Sequence, residues 1–369
     1  MIQTSQFIGI PMNNSEHAYL LERPQKPTVY AKRLTHLIFQ RPNLALAHQF
    51  LTDFGLKLLL QNENELFLRA TESAPYCYYV KLGDEAKFIG FGLQVNDMED
   101  LKKLSQLEGA SPVQPLSTPG GGYVVDLRDP SGFLVQAVCN QTPEPELEHR
   151  PALDLNFDLQ HKRINRTQRP PIQAPEVLRL GHVVLELANF KETIQWYMQH
   201  FAFIPSDIQI LPDGSPAVAF MRLNLGDTPA DHHTLALAQG IMPTYSHSAY
   251  EVVDTDAIGI GQRILRDKGW QHAWGIGRHI LGSQIFDYWN DPWHSKHEHY
   301  CDGDLFDATV PTGFHPVSKK AMAQWGPVMP SSFTRPELSL QNFSKVIHHL
   351  KHSPDVTLKK VYTLAKIFM

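Results

Sequence analysis

One plan of apolar segments runs through this chain twice, and that duplication limits the fold more than any other feature. The strand-like opening Arg33-Leu34-Thr35-His36-Leu37-Ile38-Phe39 has a counterpart in Arg179-Leu180-Gly181-His182-Val183-Val184-Leu185-Glu186-Leu187. Phe91–Asp97 matches Ser248–Asp254, and Asp129-Pro130-Ser131-Gly132 matches Asp291-Pro292-Trp293-His294. A repeat offset by roughly 150 residues implies duplication and two similarly folded halves. Within the second copy, Ile194, Tyr197, Met198 and Phe201 stand at helical spacings of three and four. Strand-like runs follow at Ala217–Leu225 and Thr234–Ala238. Asp254-Thr255-Asp256 reads as a helix start, Ile260, Ile264 and Leu265 as its apolar face, and Gly269 as its end. The closing strands contain Ile285–Tyr288 and Glu298–Tyr300.

Between the copies the periodicity fades. Thr142-Pro143-Glu144-Pro145-Glu146 and Arg169-Pro170-Pro171-Ile172-Gln173-Ala174-Pro175 bracket a proline-rich, polar connection. Leu153, Leu155, Phe157 and Leu159 alternate within it, which predicts a stretch lying against a domain. At the far end, Leu340, Phe343, Val346, Ile347 and Leu350 have helical spacing, so residues 338–369 read as one or two helices. Composition removes several function classes. With no run of about 18 apolar residues the chain has no membrane helix, and its first residues have neither the basic start nor the apolar core of a secretory signal. Three scattered cysteines, Cys77, Cys139 and Cys301, suit neither a disulfide framework nor a cysteine metal cluster, and a cytoplasmic protein with reduced thiols is expected. Charges of both signs are mixed along a chain of net charge −5, which disfavours nucleic acid as a partner. Histidine is abundant, at 19 residues, so position rather than presence must carry any argument from it.

The repeat, together with Asp231-His232-His233-Thr234-Leu235-Ala236-Leu237, Trp274-Gly275-Ile276-Gly277-Arg278-His279, Tyr288 and Glu298, resembles the vicinal oxygen chelate superfamily. Within it, the chain is similar to the type I extradiol dioxygenases that cleave catechols and dihydroxybiphenyls. The resemblance covers roughly residues 30 to 310 and implies an α+β fold of two domains, each built from paired βαβββ modules. The expected divisions are an N-terminal extension to residue 30, a metal-free domain over 31–140 and a linker over 141–175. A metal-binding domain over 176–310 and a C-terminal extension over 311–369, part of it a lid, complete the chain.

The resemblance also implies the site. His182, His247 and Glu298 would be the metal ligands, separated by 65 and 51 residues and so brought together from separate strands. Their counterparts in the first copy are His36, Gly90 and Gln136, which cannot repeat the donor set. Two imidazoles and one carboxylate hold iron(II) on one face and leave the other for reactants; manganese(II) is admitted by the same donors. Strand alternation then turns His297 and His299 away from the metal. His233 would serve as acid/base on the oxygen side, with His279 and Tyr288 bonded to the substrate oxygens, and their first-copy counterparts are Tyr76, Ser117 and Asp126. By the same alternation His232 is a bystander. The implied reactants are an aromatic diol and O2, in a homo-oligomer. Two departures from the family pattern stand beside the expected site: His294 where glycine or proline is usual, and Asp287 where an apolar residue precedes the tyrosine. Alternative readings are a glyoxalase-like isomerase, a hydroxyphenylpyruvate dioxygenase-like enzyme, and a non-catalytic protein binding an aromatic ligand.

Overall fold

The computed structural model describes residue 20, residues 22–334 and residues 340–368. Residues 1–19 and 21 of the expected N-terminal extension, and residues 335–339 and 369, lie outside the described residues. The first copy forms an eight-stranded sheet. Its spatial order is Lys57–Gln61, Glu65–Arg69, Tyr78–Leu82, Arg33–Arg41, Lys87–Gln94, Leu134–Cys139, Tyr123–Arg128 and Gln114–Pro115. The second copy forms a nine-stranded sheet with the corresponding order: Gln271–Arg278, Ile285–Asn290, Lys296–Cys301, Thr244–Val252, Val177–Leu187, Leu235–Gln239, Pro216–Arg222 and Ile204–Ile210, with Gly313–Pro316 added at the edge. In each sheet the first strands of two βαβββ modules pair antiparallel at the centre, and each pairs parallel with the last strand of its own module. This is the expected α+β architecture.

A side-chain cap starts the helix between the first two strands in three of the four modules, Phe190–Phe201 being the exception. Asn43 caps Leu44–Phe54 by accepting from Leu46 N at 2.9 Å, and Asp254 caps Thr255–Asp267 by accepting from Ala257 N at 2.9 Å. The apolar faces of these helices pack on the sheets, and one core of buried side chains runs through both copies, from Leu37, Phe50 and Phe54 to Val183, Tyr250 and Trp289. A buried ion pair also joins them: Arg41 Nη2 lies 2.8 Å from Asp291 Oδ2 and 2.8 Å from Ser295 Oγ.

The connection between the copies departs from expectation. It folds back into a short hairpin, Asn156–Phe157 with Gln160–His161, but Leu155, Phe157 and Leu159 are exposed, Leu159 by 87%. Alternation alone does not bury a strand that has no sheet face opposite it. The C-terminal segment does form two helices, Leu340–His352 and Leu358–Phe368, and Leu364 and Ile367 of the second pack beside Leu211 and Val317 at the edge of the second sheet. All three cysteines are buried and free. No helix among the described residues is long and apolar enough to cross a membrane.

Candidate active site

Sheet register brings the three expected ligands together. His182 on the strand Val177–Leu187 pairs with Ala249, and Ala249 pairs with Glu298 on the next strand. His247 precedes Ala249 by two residues, so the pleat returns it to the same face. The result is two imidazoles on one carboxylate oxygen: Nε2 of His182 is 3.3 Å and Nε2 of His247 is 3.4 Å from Glu298 Oε2. One ligand atom from each of the three residues lies within 4.8 Å of the others.

Several observations show that this donor set fits a divalent cation. Glu298 is fully buried, yet neither of its oxygens has a hydrogen-bond partner of ordinary geometry. A buried carboxylate left in that condition is costly unless a positive charge sits beside it. Burial by itself would raise its pKa, but the imidazoles of His182, His279 and His247 outweigh burial and hold it below the usual carboxylate range. Burial also pushes His247 down to about 3, against the opposing pull of Glu298, so its nitrogen lone pair is free at neutral pH. Alternation disposes of the neighbours as expected. His297 Nδ1 donates to Ser295 O at 3.0 Å and its Nε2 meets Tyr78 OH at 3.0 Å, while His299 Nε2 donates to Phe54 O at 2.7 Å. Both face the other copy, not the cavity.

The first copy shows what the same register does without the ligands. His36 pairs with Gly92, which pairs with Gln136, and Gly90 occupies the position equivalent to His247. There His36 Nε2 bonds Gln136 Oε1 at 3.0 Å, and Gln136 Nε2 donates to Asp126 Oδ1 at 2.9 Å, so the polar groups satisfy one another. A side chain at Gly90 would place its Cβ 2.1 Å from the Leu134 carbonyl oxygen, so a histidine cannot be accommodated there without moving the backbone.

Around the second-copy trio the remaining predicted residues also converge. His279 Nδ1 donates to Met322 O at 2.7 Å, which leaves Nε2 as an acceptor for Tyr288 OH at 2.9 Å. His279 Nε2 is 3.7 Å from Glu298 Oε1. Burial raises the Tyr288 phenol well above its usual pKa, which keeps it protonated. His233 is buried and its ring centroid lies 4.1 Å from that of His182, the relation that Tyr76 has to His36 at 4.9 Å in the first copy.

His232 corrects the alternation argument. It is not a bystander: its side chain is 1% exposed, its Nδ1 is 3.0 Å from His233 Nδ1, and its Nε2 is 2.7 Å from Asp207 Oδ2. Residues 232–234 form a bend between the strands Ala230–Asp231 and Leu235–Gln239, and the period of two does not hold across a bend. Asp207 and His315, whose Nε2 is 2.8 Å from Asp207 Oδ1, had no spacing that would reveal them. Of the two departures from the family pattern, only Asp287 lies elsewhere than expected. Asp287 faces away from Tyr288 and accepts from Trp289 Nε1 and His272 Nε2, each at 2.7 Å. His294 sits in the turn before the Glu298 strand at φ +65°, as Gly132 does at φ +94°.

His182 and His247 line a cavity of about 370 Å³ walled largely by Val184, Ala217, Val218, Phe220, Ala236, Ile241 and Leu281. Glu186, Gln209, Gln239, Gln284, Ser246 and Thr334 are among its polar groups. Met322, Met329 and Phe333 of the C-terminal extension close one side, and Val361, Leu364 and Ala365 of the last helix close the end.

No family model matches the chain. Metapyrocatechase 2 of Cupriavidus necator is 27% identical over 320 residues, 85% of this chain and 96% of that protein. Among solved structures, homoprotocatechuate 2,3-dioxygenase from Brevibacterium fuscum in its anaerobic complex with 3,4-dihydroxyphenylacetate superposes with a TM-score of 0.70 at 21% identity, covering 86% of this chain and 96% of that one. The Mn(II)-bound glyoxalase from Novosphingobium aromaticivorans superposes with a TM-score of 0.71 at 20% identity, covering 85% and 97%. The chain therefore has the two-domain vicinal oxygen chelate fold of the type I extradiol dioxygenases.

Proposed function

We propose that this protein is an extradiol dioxygenase that opens an aromatic diol beside its two hydroxyls and incorporates both atoms of O2. The observation that carries the reading is the unpartnered, buried carboxylate of Glu298 between two imidazoles that line an apolar cavity sized for a small aromatic ring. His182, His247 and Glu298 hold the ion, which we take to be iron(II) because ring cleavage by O2 needs a redox-active centre; manganese(II) suits the same donors. When bound, such an ion supplies a Lewis acid for the diol oxygens and a path for ring electrons to O2.

The protein's own groups then orient the ring and move protons. Val184, Val218, Phe220 and Ile241 take the ring out of water. Tyr288, which gives its proton to His279, presents its oxygen lone pairs to a substrate hydroxyl. His279 is itself anchored by Met322, so the pair is held in one orientation. His233, buried against His182 in the wall of the cavity, takes a hydroxyl proton from the diol and returns it to the ring-opened product. Positioned acid/base groups of this kind contribute about 10²–10⁴-fold. We assign the metal site to residues 176–310 and a supporting role to residues 31–140, whose equivalent positions are filled by the His36–Gln136–Asp126 chain.

The isomerase reading draws support from the glyoxalase among the structural neighbours. It gives no task to the His233, His279 and Tyr288 set. Protein purified without oxygen and loaded with ferrous iron separates the two: a dioxygenase consumes one O2 per diol across a panel of catechols and yields a coloured ring-opened acid. Absence of oxygen uptake with every diol, at full iron occupancy, would refute the proposal.

A further inference from the structure

The bend at residues 232–234 places three polar side chains in series behind His233, and with every imidazole in its neutral form the hydrogen bonds among them admit one set of tautomers. Asp207 accepts on both oxygens, from His232 Nε2 at 2.7 Å and from His315 Nε2 at 2.8 Å. A carboxylate that accepts twice is ionised. Burial would raise its pKa, but the two imidazole hydrogen bonds outweigh it and lower the value. With its proton on Nε2, neutral His232 has a bare Nδ1. The nitrogen 3.0 Å away, His233 Nδ1, must then carry the hydrogen of the bond between them. Nε2 of His233 is left without a proton.

We propose that His232, Asp207 and His315 form a positioning relay that holds His233 in the tautomer with Nε2 bare, so that His233 meets the diol as a proton acceptor. This rests on the acid/base reading of His233 given above. The step is a single proton transfer: the substrate O–H bond breaks, the Nε2–H bond forms, and the imidazolium charge is shared through Nδ1–H with His232 and the Asp207 carboxylate. The proton returns to the product when the ring has opened. Hydrogen bonding of this kind to the far nitrogen selects which ring nitrogen is active.

The surroundings are built to hold His232 still. Its backbone N–H donates to Asp304 O at 2.9 Å, and Phe220 and Phe306 pack on its ring with centroids 5.6 and 5.4 Å away. Gly282 lies against it at φ +82°, where a Cβ would come within 3.1 Å of His232 Nδ1. His315, a residue of the added edge strand Gly313–Pro316, fixes the second oxygen of Asp207. The relay therefore draws on the added edge strand as well as the module strands.

The test combines a spectroscopic readout with kinetics on the full chain. In metal-free protein, 15N histidine spectra should show a protonated Nδ1 on His233, with the signal assigned by its loss in His233→Ala. His232→Leu should change that tautomer and lower kcat of the iron-loaded enzyme by about 10²-fold, while KM and iron content stay as in the wild type. His232→Asn, which keeps an acceptor near the Nδ1 position, should restore the tautomer and most of the rate. An unprotonated His233 Nδ1 in the wild type overturns the relay, even if the leucine variant fails to fold. So does a His232→Leu enzyme with wild-type kcat when His233→Ala is inactive. If His233→Ala turns over normally, the acid/base assignment falls as well, which separates the two failures.

Discussion

Replacing Asp291 by alanine should cost about 3–5 kcal/mol of folding stability, because it strands a buried guanidinium. The side chains of Arg41 and Asp291 are 2% and 3% exposed and meet at 2.8 Å across the two copies of the fold. Arg41 also bonds Ser295 Oγ at 2.8 Å and stacks over Phe39, its Cζ 4.5 Å from the ring centroid. Asp291 does two jobs: Oδ2 takes the arginine, while Oδ1 accepts from Trp293 N at 2.9 Å and Ser295 N at 2.8 Å, closing the turn that leads into the Glu298 strand. Asp291→Asn keeps the turn and removes the charge, so the two substitutions separate the roles. In Arg41→Met the buried Asp291 loses its cation, and a loss of similar size is expected. The double variant Arg41→Met/Asp291→Asn leaves no buried charge at this point and should be less destabilised than the sum of its parents by about 2 kcal/mol or more. Urea unfolding of all four proteins, followed by tryptophan fluorescence, gives the cycle. Additive losses would refute the reasoning, since they would mean that neither charge depends on the other.

Further expectations concern single positions. His294→Gly relieves a left-handed conformation worth about 1–2 kcal/mol and gives back about 0.5–1 kcal/mol in chain entropy, so a net gain of about 0.5–1 kcal/mol should appear in denaturant melts; a loss would contradict it. Burial raises the Asp129 carboxyl to about 6, against hydrogen bonds from Tyr197 and the turn backbone. The folded state therefore binds this proton more tightly than the unfolded chain, whose value is about 3.9. Its contribution to stability is complete below about pH 4 and lost as pH rises through about 6, a swing of about 2–3 kcal/mol. Asp129→Asn should gain on the wild type by that amount between pH 4 and pH 7, and parallel pH–stability curves for the two proteins would disprove it. Gln136→Ala breaks the His36–Gln136–Asp126 chain and should cost about 1–2 kcal/mol with iron content and turnover intact. Glu298→Gln should lose both, as measured by elemental analysis and oxygen uptake.

The cluster of His182, His247 and Glu298 was legible because each member occupies a repeated strand. The match of His182 to His36, and of the two Asp-Pro turns, carried the register, and register decides which side chains share a face. Alternation around Glu298 likewise placed His297 and His299 correctly. The same rule failed at His232, where the chain bends between strands, and at Leu155, Phe157 and Leu159, where no sheet lies opposite. Asp207 and His315 escaped notice for a different reason. They stand 108 residues apart, and only the added edge strand Gly313–Pro316 brings them together. The helical spacing in the C-terminal segment foretold helices, but not that Val361, Leu364 and Ala365 would wall the cavity, since docking depends on a partner surface that periodicity does not describe. Asp287 looked like a disturbance beside Tyr288, and the pleat turns it to the opposite face, where Trp289 and His272 satisfy it.

The most direct measurement is an anomalous-scattering map from crystals grown with ferrous iron under anaerobic conditions, recorded at the iron edge. The account predicts one strong peak per chain, about 2.0–2.2 Å from Nε2 of His182, Nε2 of His247 and a carboxylate oxygen of Glu298, and none beside His36. A peak elsewhere, a second peak in the first copy, or no peak at full occupancy of iron in solution would contradict it.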